Sequence, residues 1–228
     1  MRKNLIKYGM RGFTTLDKKV MKKFNTHLIA GIDEVGMGPI AGPVVACAYI
    51  PFDMDWIKAM DRIGVRVTDS KLLSSHERNV LFPILTCNGV YAEGWVMSEN
   101  INRLQNINKA GSLARIIAAR NLLSKIRVSA FIVDFFPMDH TTPSVSIPKA
   151  DRKSFVVACA SIIAKVIRDR HMVDNHLKYP HYAWNRNMGY GTKKHWDGIK
   201  QHGLTPLHRS YLIPVGATGS TTDSDSVN

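Results

Sequence analysis

Cysteine is scarce in this sequence. There are three in 228 residues, Cys47, Cys87 and Cys159, and no two form a Cys-x-x-Cys pair. A disulfide framework and a zinc ribbon are therefore poor readings. Cys47 and Cys159 lie in apolar, small-residue stretches, which predicts buried, reduced thiols. No apolar run reaches the roughly 18 residues that a membrane span requires, so no membrane partner is expected. Internal repeats are also missing. With 45% hydrophobic residues the chain is still able to bury a sizeable core.

Acid is the scarcer charge. Eighteen Asp and Glu face 31 Lys and Arg, for a net charge of +13. The excess is concentrated at the start. Residues 1–27 carry eight basic side chains, including Lys18, Lys19, Lys22 and Lys23, against the single acid Asp17. A basic balance suits a polyanionic partner, of which nucleic acid is the commonest; a cationic arm without such a partner is the alternative. The segment lacks a secretory apolar core. Its lysines and its lack of serine favour a cytoplasmic protein over a mitochondrial presequence.

Strands alternate with helices along the chain, which predicts an α/β fold. Residues 27–32 and 43–50 read as buried strands, separated by a Gly- and Pro-rich break over 34–42. Ser74 and Glu77 form a capping box for a helix through Leu85, which Pro83 should strain or shorten. Residues 90–96 and 130–133 read as further strands. A helical pattern over 99–126 has its expected break at Gly111. Long and short helices follow over 154–177 and 192–202, the latter stopped by Gly203.

Three acidic positions interrupt apolar structure. Asp33 and Glu34 follow the strand Leu-Ile-Ala-Gly-Ile, Asp134 follows Phe-Ile-Val, and Asp151 stands just before a long helix. Carboxylates at strand ends and a helix start can meet at one sheet edge, where mutual repulsion calls for divalent cations. Hard cations such as Mg²⁺ take oxygen ligands and suit a phosphodiester substrate. Separate structural roles are the alternative, with Asp151 as a helix cap and Asp33-Glu34 as a turn. Adjacent strand residues point to opposite faces, so convergence of Asp33 and Glu34 predicts a bend in the strand.

Gly36-Met37-Gly38 follows the acidic pair, and such glycines let backbone N–H groups approach a ligand or simply make a turn. Lys71, Lys193, Lys194 and Arg209 are candidates for contacting a phosphate backbone, or are ordinary surface charges. Tyr190 equally suits a core aromatic. Asp169 stands four residues after Lys165, which predicts a helical ion pair rather than a metal ligand. His195, His202 and His208 have no metal-site spacing and read as solvated or locally bonded.

Several blocks resemble the type 2 ribonuclease H (ribonuclease HII) family. They are GIDEVGMGPIAGPVVACAYI at 31–50, VTDSKLLS at 67–74, FIVD at 131–134, KAD at 149–151 and ACASIIAKVIRDRHM at 158–172. GYGTKKH at 189–195 and GLTPLHRSYL at 203–212 follow in the family's order. The resemblance implies a ribonuclease H-like fold, a central mixed sheet flanked by helices with a small helical C-terminal extension. It implies Asp33, Glu34, Asp134 and Asp151 as catalytic ligands of two Mg²⁺ or Mn²⁺ ions. The Gly36-Met37-Gly38 backbone would contact a ribose 2′-hydroxyl, the group that distinguishes RNA from DNA. Lys71 would contact phosphate, and Tyr190 would stack on the sugar beside the ribonucleotide. His208 matches a recurring family residue without an assigned role.

The implied activity is hydrolysis of the RNA strand of RNA–DNA hybrid duplexes, with nicking 5′ of ribonucleotides embedded in DNA, by a monomer. Three departures from the pattern stand out: Met37 replaces an arginine, Ala150 replaces a glycine, and Phe135 follows Asp134 in place of glycine. They lean toward the type 3 branch, which prefers plain hybrids, and so set that preference beside the first. A non-catalytic nucleic-acid-binding relative is the third reading. The expected layout is a basic, flexible segment over 1–26, a catalytic domain over 27–178, a helical extension over 179–215 and a disordered tail over 216–228.

Overall fold

The structure, a computed structural model, describes residues 13–52, 67–134 and 141–218. Most of the basic segment's first half and most of the expected tail lie outside the described residues. Five strands form one mixed sheet. β1 (Ile29–Val35), β2 (Val44–Pro51), β3 (Gly89–Val96), β4 (Ala130–Asp134) and β5 (Ser144–Ile147) run in the order β3-β2-β1-β4-β5. The β1–β2 and β2–β3 pairs are antiparallel, and β1–β4 and β4–β5 are parallel.

Alternation along the strands feeds two cores. Ile29 of β1, Cys47 and Tyr49 of β2 and Ile132 of β4 face α5 (Phe155–Lys178) and α2 (Ser75–Cys87). Ala30, Ile32, Ala46, Ala48 and Val133 face α4 (Ile107–Leu123). Two strand glycines let the helices come close. A Cβ on Gly31 would lie 2.2 Å from the backbone of Val156, and one on Gly94 would lie 1.9 Å from the Ala114 carbonyl oxygen. A third apolar cluster joins Ala41 and Met172 to Tyr182, Trp184 and Ile199. It carries α6 (Trp184–Asn187) and α7 (Lys193–His202).

Two sequence expectations need correction. The helical pattern over 99–126 breaks at Gln105 and Asn106, between α3 (Ser98–Leu104) and α4, not at Gly111. Gln105 adopts a left-handed φ of 47° and Asn106 caps α4 through its side chain. Gly111 sits within α4, where the Met37 side chain packs against it. Pro83 neither ends nor shortens α2, which runs on to Cys87. The capping box of Ser74 and Glu77 is present as expected.

The basic segment contributes a helix that its charge pattern conceals. α1 (Thr15–Phe24) buries Val20 and Met21 and leaves its four lysines exposed. Its anchor is Asp17, which is fully buried and accepts hydrogen bonds from Thr14 N at 2.8 Å, Ser154 Oγ at 2.6 Å and Phe155 N at 2.9 Å. One carboxylate thus caps its own helix and the start of α5. Asp17→Ala leaves these donors buried and unpaired. It should cost on the order of 3 kcal/mol, read as a lowered midpoint in denaturant unfolding.

Candidate active site

β1 and β4 run parallel and in register through Ile32 and Val133, so the next residues, Asp33 and Asp134, stand side by side at the carboxyl ends of both strands. Such ends are where open α/β sheets bind ligands. The bend expected after Ile32 does not occur. β1 stays paired with β2 through Asp33, Glu34 and Val35. The two acids therefore flank the sheet. Asp33 turns toward α5, where the Ser161 hydroxyl, hydrogen-bonded to Ser70 Oγ at 2.8 Å, favours its ionised form. Glu34 turns toward α4, where its Oε2 accepts a hydrogen bond from Arg115 Nη1 at 2.9 Å in a buried ion pair.

Asp134 Oδ1 accepts a hydrogen bond from Ala150 N at 2.7 Å. That bond draws the 3₁₀ turn Ala150–Arg152, and with it Asp151, against the end of β4. Asp151 does not cap α5; Ser154 and Asp17 do. Its Oδ1 is buried and has no hydrogen-bond partner among the described residues. Behind it, buried Asp69 accepts hydrogen bonds from Arg152 Nε at 3.1 Å and Lys71 N at 2.9 Å. Lys71 itself is exposed, and its charge acts on Asp151.

The electrostatics tie the four acids together. Burial raises the pKa of Asp33 well above the ordinary carboxylate value, and Glu34, Asp134 and Asp151 raise it further. Burial also raises Glu34, with a smaller push from Asp134, against the opposing pull of Arg115. Asp151 is pushed up to about 6 by burial, then by Asp69 and Asp134. Among the described residues, no three Asp, Glu, His or Cys side chains are grouped to hold a metal ion as they stand. Two of the acids are engaged by protein donors instead, Glu34 by Arg115 and Asp134 by Ala150. The site still fits a divalent cation. It holds crowded, desolvated carboxylates and one orphaned buried oxygen, an arrangement that a bound cation relieves.

The glycine segment is built from beneath. Gly36 has a φ of +91°, and a Cβ there would lie 2.4 Å from Arg168 Nε. Arg168 donates to the carbonyls of Pro43, Ala41 and Met188. Arg209 donates to those of Gly42, Pro39 and Gly36. Arg209 is fully buried, so its expected contact with phosphate is corrected: its guanidinium faces the backbone of residues 36–42. Neither arginine has a carboxylate partner among the described residues. Burial lowers Arg168 to about 10; burial and the neighbouring Arg168 lower Arg209 to about 9. Both stay protonated at neutral pH. A carbonyl turned inward turns the following N–H outward, so the Gly36 carbonyl, held by Arg209, directs the Met37 N–H away from the core. The Met37 side chain turns the other way, onto α4.

Tyr190 is 48% exposed, with its ring 3.3 Å from where a Cβ of Gly38 would stand. It is not a core aromatic. Lys193 and Lys194 are exposed at the start of α7, with Lys193 paired to Asp197 at 3.0 Å. Asp169 pairs with Lys165 at 2.8 Å, as its spacing predicts. Sequence reasoning missed Ser161, Arg115 and Asp69. Only Asp69 carried a local signal, as a side-chain cap two residues before Lys71.

Comparison with known proteins completes the picture. The family model described as Ribonuclease HII matches residues 30–212. A ribonuclease HII of Macrococcus caseolyticus is 41% identical over 194 residues, covering 85% of this chain and 70% of that protein. One of Rickettsia bellii is 41% identical over 188 residues, covering 82% and 91%. Among solved structures, the ribonuclease H2 of Pyrococcus horikoshii aligns with a TM-score of 0.65 at 28% identity, over 79% of this chain and 92% of that one. Bst-RNase HIII, solved in complex with Mn²⁺, aligns with a TM-score of 0.62 at 22% identity, over 81% and 64%, a likeness of fold. The ribonuclease H-like α/β fold expected from the resemblance is the fold observed, and this chain belongs to the ribonuclease HII family.

Proposed function

We infer that the protein is a metal-dependent endoribonuclease that hydrolyses the RNA strand of RNA–DNA duplexes and nicks 5′ of ribonucleotides embedded in DNA. The products carry 3′-hydroxyl and 5′-phosphate ends. The observation that supports this reading is the side-by-side register of Asp33 and Asp134 on the parallel strands β1 and β4, with Glu34 next in β1 and the buried, unpartnered Oδ1 of Asp151 on the turn that Asp134 anchors. These four are the proposed ligands of two Mg²⁺ or Mn²⁺ ions. When bound, such ions lower the pKa of an attacking water and stabilise the departing 3′-oxygen.

The chain's own residues supply the rest. Arg115 holds Glu34, and the Ser161 hydroxyl near Asp33 favours its ionised form. Ala150 N fixes one oxygen of Asp134, and the other is the proposed metal ligand. Met37 N–H and Gly38 N–H are the proposed donors to the ribose 2′-hydroxyl, and Tyr190 stacks on the adjacent sugar. Lys71, whose charge acts on Asp151, is the proposed contact to a phosphate. The family resemblance supports these assignments, and the exposure of Tyr190 and Lys71 agrees with them.

A DNA duplex with one embedded ribonucleotide, compared with a full RNA–DNA hybrid in Mg²⁺, Mn²⁺ and chelator, tests the reading. The expected result is a single nick 5′ of the ribonucleotide that requires either metal. Cleavage in chelator, or cleavage of the hybrid alone, would count against it.

A further inference from the structure

The third apolar cluster contains two histidines that the proposed chemistry does not use. His195 of α7 and His208 are both buried, at 0% and 1% exposure. Their hydrogen bonds fix every ring proton. Trp184 Nε1 can only donate, and it reaches His195 Nε2 at 3.0 Å. His195 Nε2 is therefore unprotonated, and the proton sits on Nδ1, 2.9 Å from the carbonyl oxygen of Tyr190. The backbone N–H of Thr205 donates to His208 Nδ1 at 2.9 Å. His208 then carries its proton on Nε2, 3.1 Å from His195 Nε2, whose single lone pair it shares with the Trp184 donor. The chain of donors runs from Thr205 through His208 to His195 and ends on Tyr190.

That end point matters because Tyr190 stands on a short exposed turn. Its N–H donates to Asn187 O, and its carbonyl also accepts from Thr192 N. Gly189 next to it takes the N–H groups of Ile40 and Ala41. The imidazole is the only side chain among the described residues that hydrogen-bonds the Tyr190 backbone, and it does so from inside a rigid aromatic cluster. Trp184 and Tyr182 stack at 5.1 Å beside it.

We propose that His195 is the positioning residue of Tyr190, held in the required tautomer by Trp184 and His208, so that the tyrosine ring is fixed beside Gly38 before substrate arrives. The inference rests on the reading that Tyr190 stacks on the substrate sugar. Both rings are neutral at neutral pH: burial lowers the pKa of each, and that of His208 falls to about 4 with His195 beside it. A neutral pair keeps one acceptor and one donor on each ring, as the relay requires.

The test compares two substitutions of one residue. His195→Asn places an N–H near the position of Nδ1 and retains the bond to Tyr190. His195→Gln places its polar group near Nε2 and loses that bond. On a duplex with one embedded ribonucleotide, His195→Gln should lower kcat/KM about tenfold or more, as a misplaced positioning group does. His195→Asn should stay within about threefold of the parent. In a Tyr190→Ala background the two variants should be equal to each other and to Tyr190→Ala alone. Equal activity of the two in the parent, or an equal further loss for His195→Gln in the Tyr190→Ala background, overturns the proposal. Parent-like activity of Tyr190→Ala overturns the underlying reading itself. If His195→Gln does not fold, Trp184→Phe removes the tautomer-fixing donor while keeping most of the ring. It must then lower kcat/KM in the parent and not in Tyr190→Ala.

Discussion

Asp134→Asn should abolish metal-dependent cleavage and leave the fold intact. The amide keeps an oxygen to accept from Ala150 N, so the 3₁₀ turn bearing Asp151 remains anchored. The substitution removes the negative charge that stands beside both Asp33 and Glu34. Charge stabilisation by a bound divalent ion is worth several kcal/mol, so a loss of about 4 kcal/mol, or roughly 10³-fold in rate, is expected. Single-turnover cleavage of the embedded-ribonucleotide duplex measures it, and the unfolding midpoint should move by less than about 1 kcal/mol in stability. Activity within a few fold of the parent would remove Asp134 from the proposed ligand set.

The second large effect concerns stability. Arg209→Met should destabilise the protein by about 3–5 kcal/mol, measured by denaturant unfolding. The guanidinium satisfies the carbonyls of Gly36, Pro39 and Gly42, and its loss strands three acceptors in a region with no solvent access. Removing one of two neighbouring buried cations offsets part of that cost. Arg209→Lys keeps the charge but not the planar fork that spans separate carbonyls, and should fall between the two. A change below about 1 kcal/mol would mean that the loop carbonyls find other donors.

Both effects trace to residues whose roles were unequally legible in the sequence. Asp33, Glu34 and Asp134 stand out because they follow apolar runs, and Asp151 because it precedes an apolar helix, yet each alone reads as a turn, a strand exit or a cap, and it is the family resemblance that joins them. Arg209 does the opposite. A lone arginine in a polar C-terminal block reads as surface charge, and nothing local reveals that backbone carbonyls some 170 residues earlier await it. Arg115 and Ser161 are hidden for a related reason: each lies within a helix whose pattern is satisfied without reference to its long-range partner. The bend expected between Asp33 and Glu34 came from requiring both side chains on one face. In the sheet the two side chains instead lie on opposite faces, Asp33 toward α5 and Glu34 toward α4.

Local rules fared best where the chain is regular. The capping box, the long helix after residue 154 and the strands β1 to β4 follow from spacing. The short strand β5 (Ser144–Ile147) alternates Ser and apolar residues, with Val145 and Ile147 against the core, but four residues are too short a run to stand out in the sequence, and the edge of β4 gives it its partner. α1 was masked by its lysines, since four charges in ten residues resemble a solvated arm more than a docked helix.

The anchoring of α1 also has a consequence for biosynthesis. Asp17 leaves the ribosome before Ser154, which completes its pocket and lies 137 residues further along. At about 5–20 residues per second, translation of that interval takes roughly 7–27 seconds. Throughout that time Val20 and Met21 have nowhere native to dock, and the nascent chain presents a basic amphipathic helix to its surroundings.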